Sequence, residues 1–139
     1  MSFLVYLYFD GDCEEAFAFY KTVFGGEYEA MLRFADGPPD LGVPDEANDL
    51  IMHVTLKVGD AVLHGSDTLP DTPFSKGTNF AVSHRPQSRE DADRKFAALS
   101  EGGVISMDMQ EVFWGSYFGM CTDRFGVQWM LNMDLLGRS

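Results

Sequence analysis

The spacing of apolar positions changes period twice along the chain, in the same order each time. Residues 3–9 are a dense aromatic and branched run that stops at Asp10-Gly11, which predicts a buried strand ending in a turn. From Cys13 the period lengthens, and Cys13, Ala16, Phe17, Tyr20, Val23 and Phe24 recur on one helical face. Asp12, three residues before Glu15, predicts a capping-box start, and Gly25-Gly26 predicts the stop. Residues 27–34 predict a strand, and the Gly- and Pro-rich stretch 35–49 predicts a long loop. Two further strands over 50–58 and 61–66 flank Gly59-Asp60, which predicts a hairpin with a two-residue turn. That turn sets Val58 opposite Ala61, Thr55 opposite His64 and His53 opposite Ser66, so His53 and His64 fall diagonally on one sheet face.

After a linker over 67–77 the order begins again. Residues 78–83 predict a strand; Ser88 with Asp91 caps a helix that turns Ala92, Phe96 and Leu99 inward; Gly102-Gly103 ends it. Strands follow over 104–109, 117–122 and 127–133. The helix starts at Asp12 and Ser88 differ by 76 positions and the stops at Gly25 and Gly102 by 77, two separate landmarks that predict a duplicated β-α-β-β-β module. The expected class is α+β, one domain over 1–139, with a first module over about 1–67 and a second over about 78–135.

Composition narrows the partners. Ten Lys and Arg against 22 Asp and Glu leave a formal charge of −12, which repels phosphate backbones and anionic lipid and argues against nucleic acid or membrane partners. Cys13 and Cys121 have no CxxC spacing, so a reducing, cytoplasmic location is expected, with both thiols serving packing. The opening residues lack a basic region and meet Asp10 and Asp12 early, unlike a secretory signal.

Three stretches, YLYFDGDCEEAFAFYKTVFGGE, IMHVTLKVGDAVLHGSD and FWGSYFGMCTDRFGVQWMLN, resemble the PhnB-like branch of the vicinal oxygen chelate superfamily of glyoxalases, bleomycin resistance proteins and dioxygenases. The resemblance runs in order over nearly the whole chain. It implies two βαβββ modules whose mixed sheets form a cup for a small organic molecule, in a protein that commonly forms a homodimer. In the metal enzymes of the superfamily, four ligands on the first and fourth strands of each module hold one divalent ion. Laid on that pattern, the four positions fall on or near Val5, in the run containing His64, on Asn79 and on Met130. Ser66 and Asp67 are oxygen alternatives beside His64. Only His64 is a strong ligand, so the expectation is a small-molecule-binding protein with no resident cofactor and no four-ligand metal centre. The alternative is a metal-dependent lyase, isomerase or dioxygenase in which His64 takes part in holding a divalent ion.

The candidate pocket residues are His53, His64, Asn79, Gln128, Met130, Trp114 and Tyr117. Histidine as a residue type can act as acid, base or ligand, so these two suit proton transfer or ligation, the amides suit hydrogen bonding, and the aromatic rings suit a pocket wall or dimer seam. Alternation puts Gln128, Met130 and Asn132 on one face and Trp129, which is expected in the core, on the other. The strand methionines are expected to fill core gaps, and His84 to sit in a solvated loop. No G-x-G-x-x-G turn occurs in the chain, which counts against a nucleotide-type methyl-donor site.

Overall fold

The computed structural model describes residues 2–137, and its strands and helices fall into two four-stranded sheets, each with one helix. The chain divides into a first unit ending at Ser75 and a second beginning at Lys76. In the first unit, β1 (Val5–Phe9), α1 (Cys13–Phe24), β2 (Glu27–Arg33), β3 (Ile51–Val58) and β4 (Ala61–Asp67) give the sheet order β1-β4-β3-β2, with β1 parallel to β4 and the other pairs antiparallel. In the second, β5 (Val82–His84), α2 (Arg89–Ser100), β6 (Val104–Val112), β7 (Ser116–Thr122) and β8 (Gln128–Asp134) give β5-β8-β7-β6 with the same senses. The α+β class and the repeated β-α-β-β-β order are therefore as the apolar pattern predicts.

Each sheet packs one face on its helix. In the first unit Leu7 and Phe9 of β1 and Val54 and Leu56 of β3 are buried with Phe17 and Tyr20 of α1, the rings of Phe9, Phe17 and Tyr20 meeting edge to face. Gly65 is glycine because α1 lies on it: a Cβ there would stand 2.5 Å from Phe17 Cε1. The second unit repeats the device, since a Cβ at Gly119 would meet Phe96 Cε1 at 3.1 Å and Met109 Sδ at 2.5 Å. Trp129 and Leu131 of β8 lie in this second core, 2% and 0% exposed.

Several local expectations are corrected. Asp12 makes no side-chain cap on α1; instead Asp67, at the end of β4, accepts hydrogen bonds from the backbone N–H groups of Gly11 and Cys13 through Oδ1 and of Ile51 through Oδ2. A carboxylate from a distant strand outcompetes the local one because three otherwise orphaned donors converge on it. Ser88 does cap α2, its Oγ accepting from Asp91 N at 3.0 Å. The strand expected over 78–83 shortens to Val82–His84. His84 thus belongs to that strand, half-buried, with its Nε2 3.0 Å from the Lys95 ammonium. Burial and that neighbouring cation depress its pKa to about 4. The strand methionines, expected in the core, are half-buried or exposed: none of them is in the buried set among the described residues.

Candidate functional site

Strand alternation gives each sheet a second face, away from its helix. In the first unit β1 is paired in parallel with β4, Tyr6 against His64, and β3 antiparallel with β4, Thr55 against His64. Val5 alternates with Leu7 and Phe9 toward α1, so the residue of β1 that shares a face with His64 is Tyr6, one position from the place the resemblance assigned. Tyr6, His53, Thr55 and His64 meet on this open face. Tyr6 Oη lies 3.2 Å from His53 Nδ1, and Thr55 Oγ1 lies 3.0 Å from His53 Nε2 and 3.2 Å from His64 Nδ1. The rings pack on one another, with Tyr6–His53, Tyr6–His64 and His53–His64 centroids 5.7, 6.1 and 5.6 Å apart and each pair stacked. Tyr8 extends the face, its ring 5.1 Å from that of Tyr6.

The corresponding face of the second unit is different in kind. Ser83 is paired with Met130, Met120 with Met130 and Phe118 with Asn132, so this face carries Ser83, Phe118, Met120, Met130 and Asn132. Trp114, in the β6–β7 turn, stacks edge-on against Phe118 with centroids 5.7 Å apart. Gln128 donates through Nε2 to the carbonyl of Phe80. Asn132 Oδ1 is buried with no hydrogen-bond partner among the described residues. Asn79 lies before β5, exposed, and is not part of a strand face. Tyr117 points to the other side of its sheet, where its hydroxyl donates to Asp93 Oδ1 at 2.6 Å and Arg89 stands over the ring at 4.6 Å. There it helps wall an open groove of about 560 Å³ along α2 and β6, with Asp93, Phe96, Ile105 and Asp108 among its lining.

Among the described residues no three His, Cys, Asp or Glu side chains group so as to hold a metal ion. Both oxygens of Asp67, an oxygen alternative in the sequence, are committed to the three backbone donors that start α1 and β3. Neither thiol suits nucleophilic work: burial, then the charge of Asp67, pushes the Cys13 thiol far up, and burial, then Asp123, pushes Cys121 up to about 11. Sequence reasoning found His53 and His64 and their shared face; it missed Tyr6 and Thr55. The signal for Thr55 was already present in the hairpin register, which set it opposite His64.

Two βαβββ units of this topology also make up the fold of the fosfomycin resistance protein FosX from Listeria monocytogenes, which aligns at a TM-score of 0.68 with 11% identity, covering 98% of this chain and 94% of that one. The family model described as 3-demethylubiquinone-9 3-methyltransferase matches residues 1–132, and the chain belongs to that PhnB-like family. Among its relatives, the protein YjdN of Escherichia coli K12 is 32% identical over 139 residues, covering 92% of each chain. The crystal structure of protein PA1353 from Pseudomonas aeruginosa aligns at a TM-score of 0.87 with 42% identity, covering 96% of this chain and 98% of that one. The PhnB protein from Bacillus cereus aligns at 0.79 with 22% identity, over 96% and 99%, a likeness of fold.

Proposed function

We propose that this chain binds a small organic molecule on the open face of its first unit, without a four-ligand metal centre, and acts in the cytoplasm as a homodimer. The observation that carries the reading is the Tyr6–His53–Thr55–His64 cluster: four polar side chains converge on one sheet face, their aromatic rings offering an apolar floor and their nitrogens and oxygens a few directed hydrogen bonds. On the second unit Gln128, Met130 and Trp114 line a face suited to apolar ligand groups, since thioethers adapt to irregular shapes. Asn79 adds an exposed polar side chain ahead of β5.

Homodimer formation is supported by large apolar side chains left in water, among them Phe3 (90% exposed), Phe80 (60%), Val104 (66%) and Phe113 (96%). The acidic balance supports the exclusion of nucleic acid and anionic membrane, and no helix among the described residues is long and apolar enough to cross a bilayer. The family's methyltransferase description finds no glycine-rich donor-binding turn in the sequence.

Elemental analysis of protein purified without an affinity tag, beside a thermal-shift screen of metabolites and divalent ions, tests the reading. The expected result is substoichiometric metal and stabilisation by organic compounds, because a ligand of the native state raises its stability. A stoichiometric divalent ion lost on His64→Ala would establish the metal-dependent lyase, isomerase or dioxygenase instead.

A further inference from the structure

The four polar groups on the first unit's open face are joined end to end, and counting their protons assigns them more than ligand contact. Three contacts in series, Tyr6 Oη to His53 Nδ1, His53 Nε2 to Thr55 Oγ1 and Thr55 Oγ1 to His64 Nδ1, need one proton each. With both imidazoles neutral, two orderings run one way through the Thr55 hydroxyl, which accepts on one side and donates on the other. In the first, Tyr6 donates to His53 Nδ1, His53 Nε2–H donates to Thr55, and Thr55 donates to His64 Nδ1; His64 Nε2–H then faces outward as a donor. In the second every bond reverses. His64 Nδ1–H donates to Thr55, Thr55 to His53 Nε2 and His53 Nδ1–H to Tyr6, leaving the Tyr6 O–H as the outward donor and His64 Nε2 as the outward acceptor. In these two orderings one end donates while the other accepts, and the two exchange roles together.

Resting on the small-molecule reading of this face, we propose that Tyr6, His53, Thr55 and His64 form a proton relay serving a neutral carbonyl compound that interconverts with its enol. Starting from the second ordering, Tyr6 gives its proton to the carbonyl oxygen while His64 Nε2 takes the proton from the adjacent carbon. The C–H electron pair becomes the C=C bond, and the carbonyl π pair holds the proton from Tyr6. Within the relay a proton moves from His53 to Tyr6, from Thr55 to His53 and from His64 to Thr55, which restores the first ordering with no net charge made. The reverse step ketonises the enol.

The surroundings suit this. Tyr6 is 40% exposed and His64 half-buried, so both ends open outward, whereas Thr55, at 7% exposed, keeps the middle of the relay away from water. The Tyr6 and His64 ring centroids, 6.1 Å apart and only 6° from parallel, hold the two ends within the span of one small molecule. Tyr6 and His64 touch the substrate in this scheme; His53 and Thr55 are positioning residues that carry the proton between them.

The test is the tautomer state of the two rings in the full chain, read from imidazole ¹⁵N shifts without any ligand. Both orderings place the proton on the same named nitrogen of His53 and His64, so the two rings are expected to show matched Nε2–H and Nδ1–H populations. Thr55→Val, which keeps the shape and removes the hydroxyl, is expected to unmatch them, and Thr55→Ser to restore the match. Unmatched rings in the wild type, or a match unchanged in Thr55→Val, overturns the relay. Deuterium uptake by the carbon-bound protons of hydroxyacetone in D₂O reads the chemistry: acceleration at least tenfold by wild type and Thr55→Ser and absent with Thr55→Val is expected, and none with wild type overturns the keto–enol role. Since the tautomer measurement uses ligand-free protein, an empty ligand screen beside matched rings refutes the binding reading and not the relay.

Discussion

The two units share one topology and differ on one face. Where the first presents Tyr6, His53, Thr55 and His64, the equivalent strand positions of the second hold Ser83, Phe118, Met120 and Met130. On the helix-facing side, by contrast, each unit pairs one glycine with an aliphatic residue beneath a phenyl ring: Gly65 with Val54 beneath Phe17, and Gly119 with Leu131 beneath Phe96, the glycine lying on β4 in one unit and on β7 in the other. Packing against a helix constrains side-chain volume to within a methyl group, so each copy has a glycine under a phenyl ring, on whichever of the two paired strands the ring approaches. The open faces carry no such constraint, and one has become polar and hydrogen-bonded, the other apolar and sulfur-rich. The difference sets the positions held by packing, under the helices, apart from the faces that are free to vary.

The largest expected effect breaks both units alike. Phe17→Ala and Phe96→Ala each remove a buried ring and should cost about 3–5 kcal/mol by chemical denaturation. A much smaller loss in one unit would show that the two helix-facing cores are not equivalent. Next comes Asp67→Ala, which leaves the N–H groups of Gly11, Cys13 and Ile51 without their acceptor and should cost about 3 kcal/mol. Asp12→Ala should change stability by under about 0.5 kcal/mol, because Asp12 makes no cap. Equal losses in the two aspartate variants would return the cap to Asp12.

The smallest of these effects distinguishes the second unit by pH. His84 has a native pKa of about 4, below its ordinary 6.5, because burial and then the Lys95 charge disfavour the imidazolium. The unfolded chain therefore binds that proton more readily, so the contribution of His84 is fully present above about pH 6.5 and is lost as pH falls toward 4. Denaturation midpoints measured over this interval should fall with a slope that His84→Gln flattens. An unchanged slope would mean that His84 is not held neutral by its position on β5.

Much of the fold was legible because each landmark rests on local physics. The glycine stop at Gly25 takes φ 80°, and the Gly59-Asp60 turn delivers Val58 to Ala61 and Thr55 to His64 as its length dictates. What stayed hidden needed a partner distant in sequence. Asp67 reaches α1 from the end of β4, and nothing local marks it over Asp12. Val5 and Tyr6 are equally apolar in pattern; only pairing with β4 decides which of them faces His64. His84 stands one residue past the strand expected over 78–83, whereas β5 runs Val82–His84, and its partner Lys95 lies eleven residues on. The site was therefore half visible: the two histidines by residue type and register, the phenol and hydroxyl that connect them only through the sheet.

The most direct test of that division is to map, by chemical-shift changes in the full chain, where a hit from the metabolite screen binds. The account predicts changes centred on Tyr6, His53, Thr55 and His64, with affinity reduced at least tenfold in His64→Ala. Changes centred instead on the groove between α2 and β6, with His64→Ala binding as wild type, would contradict it.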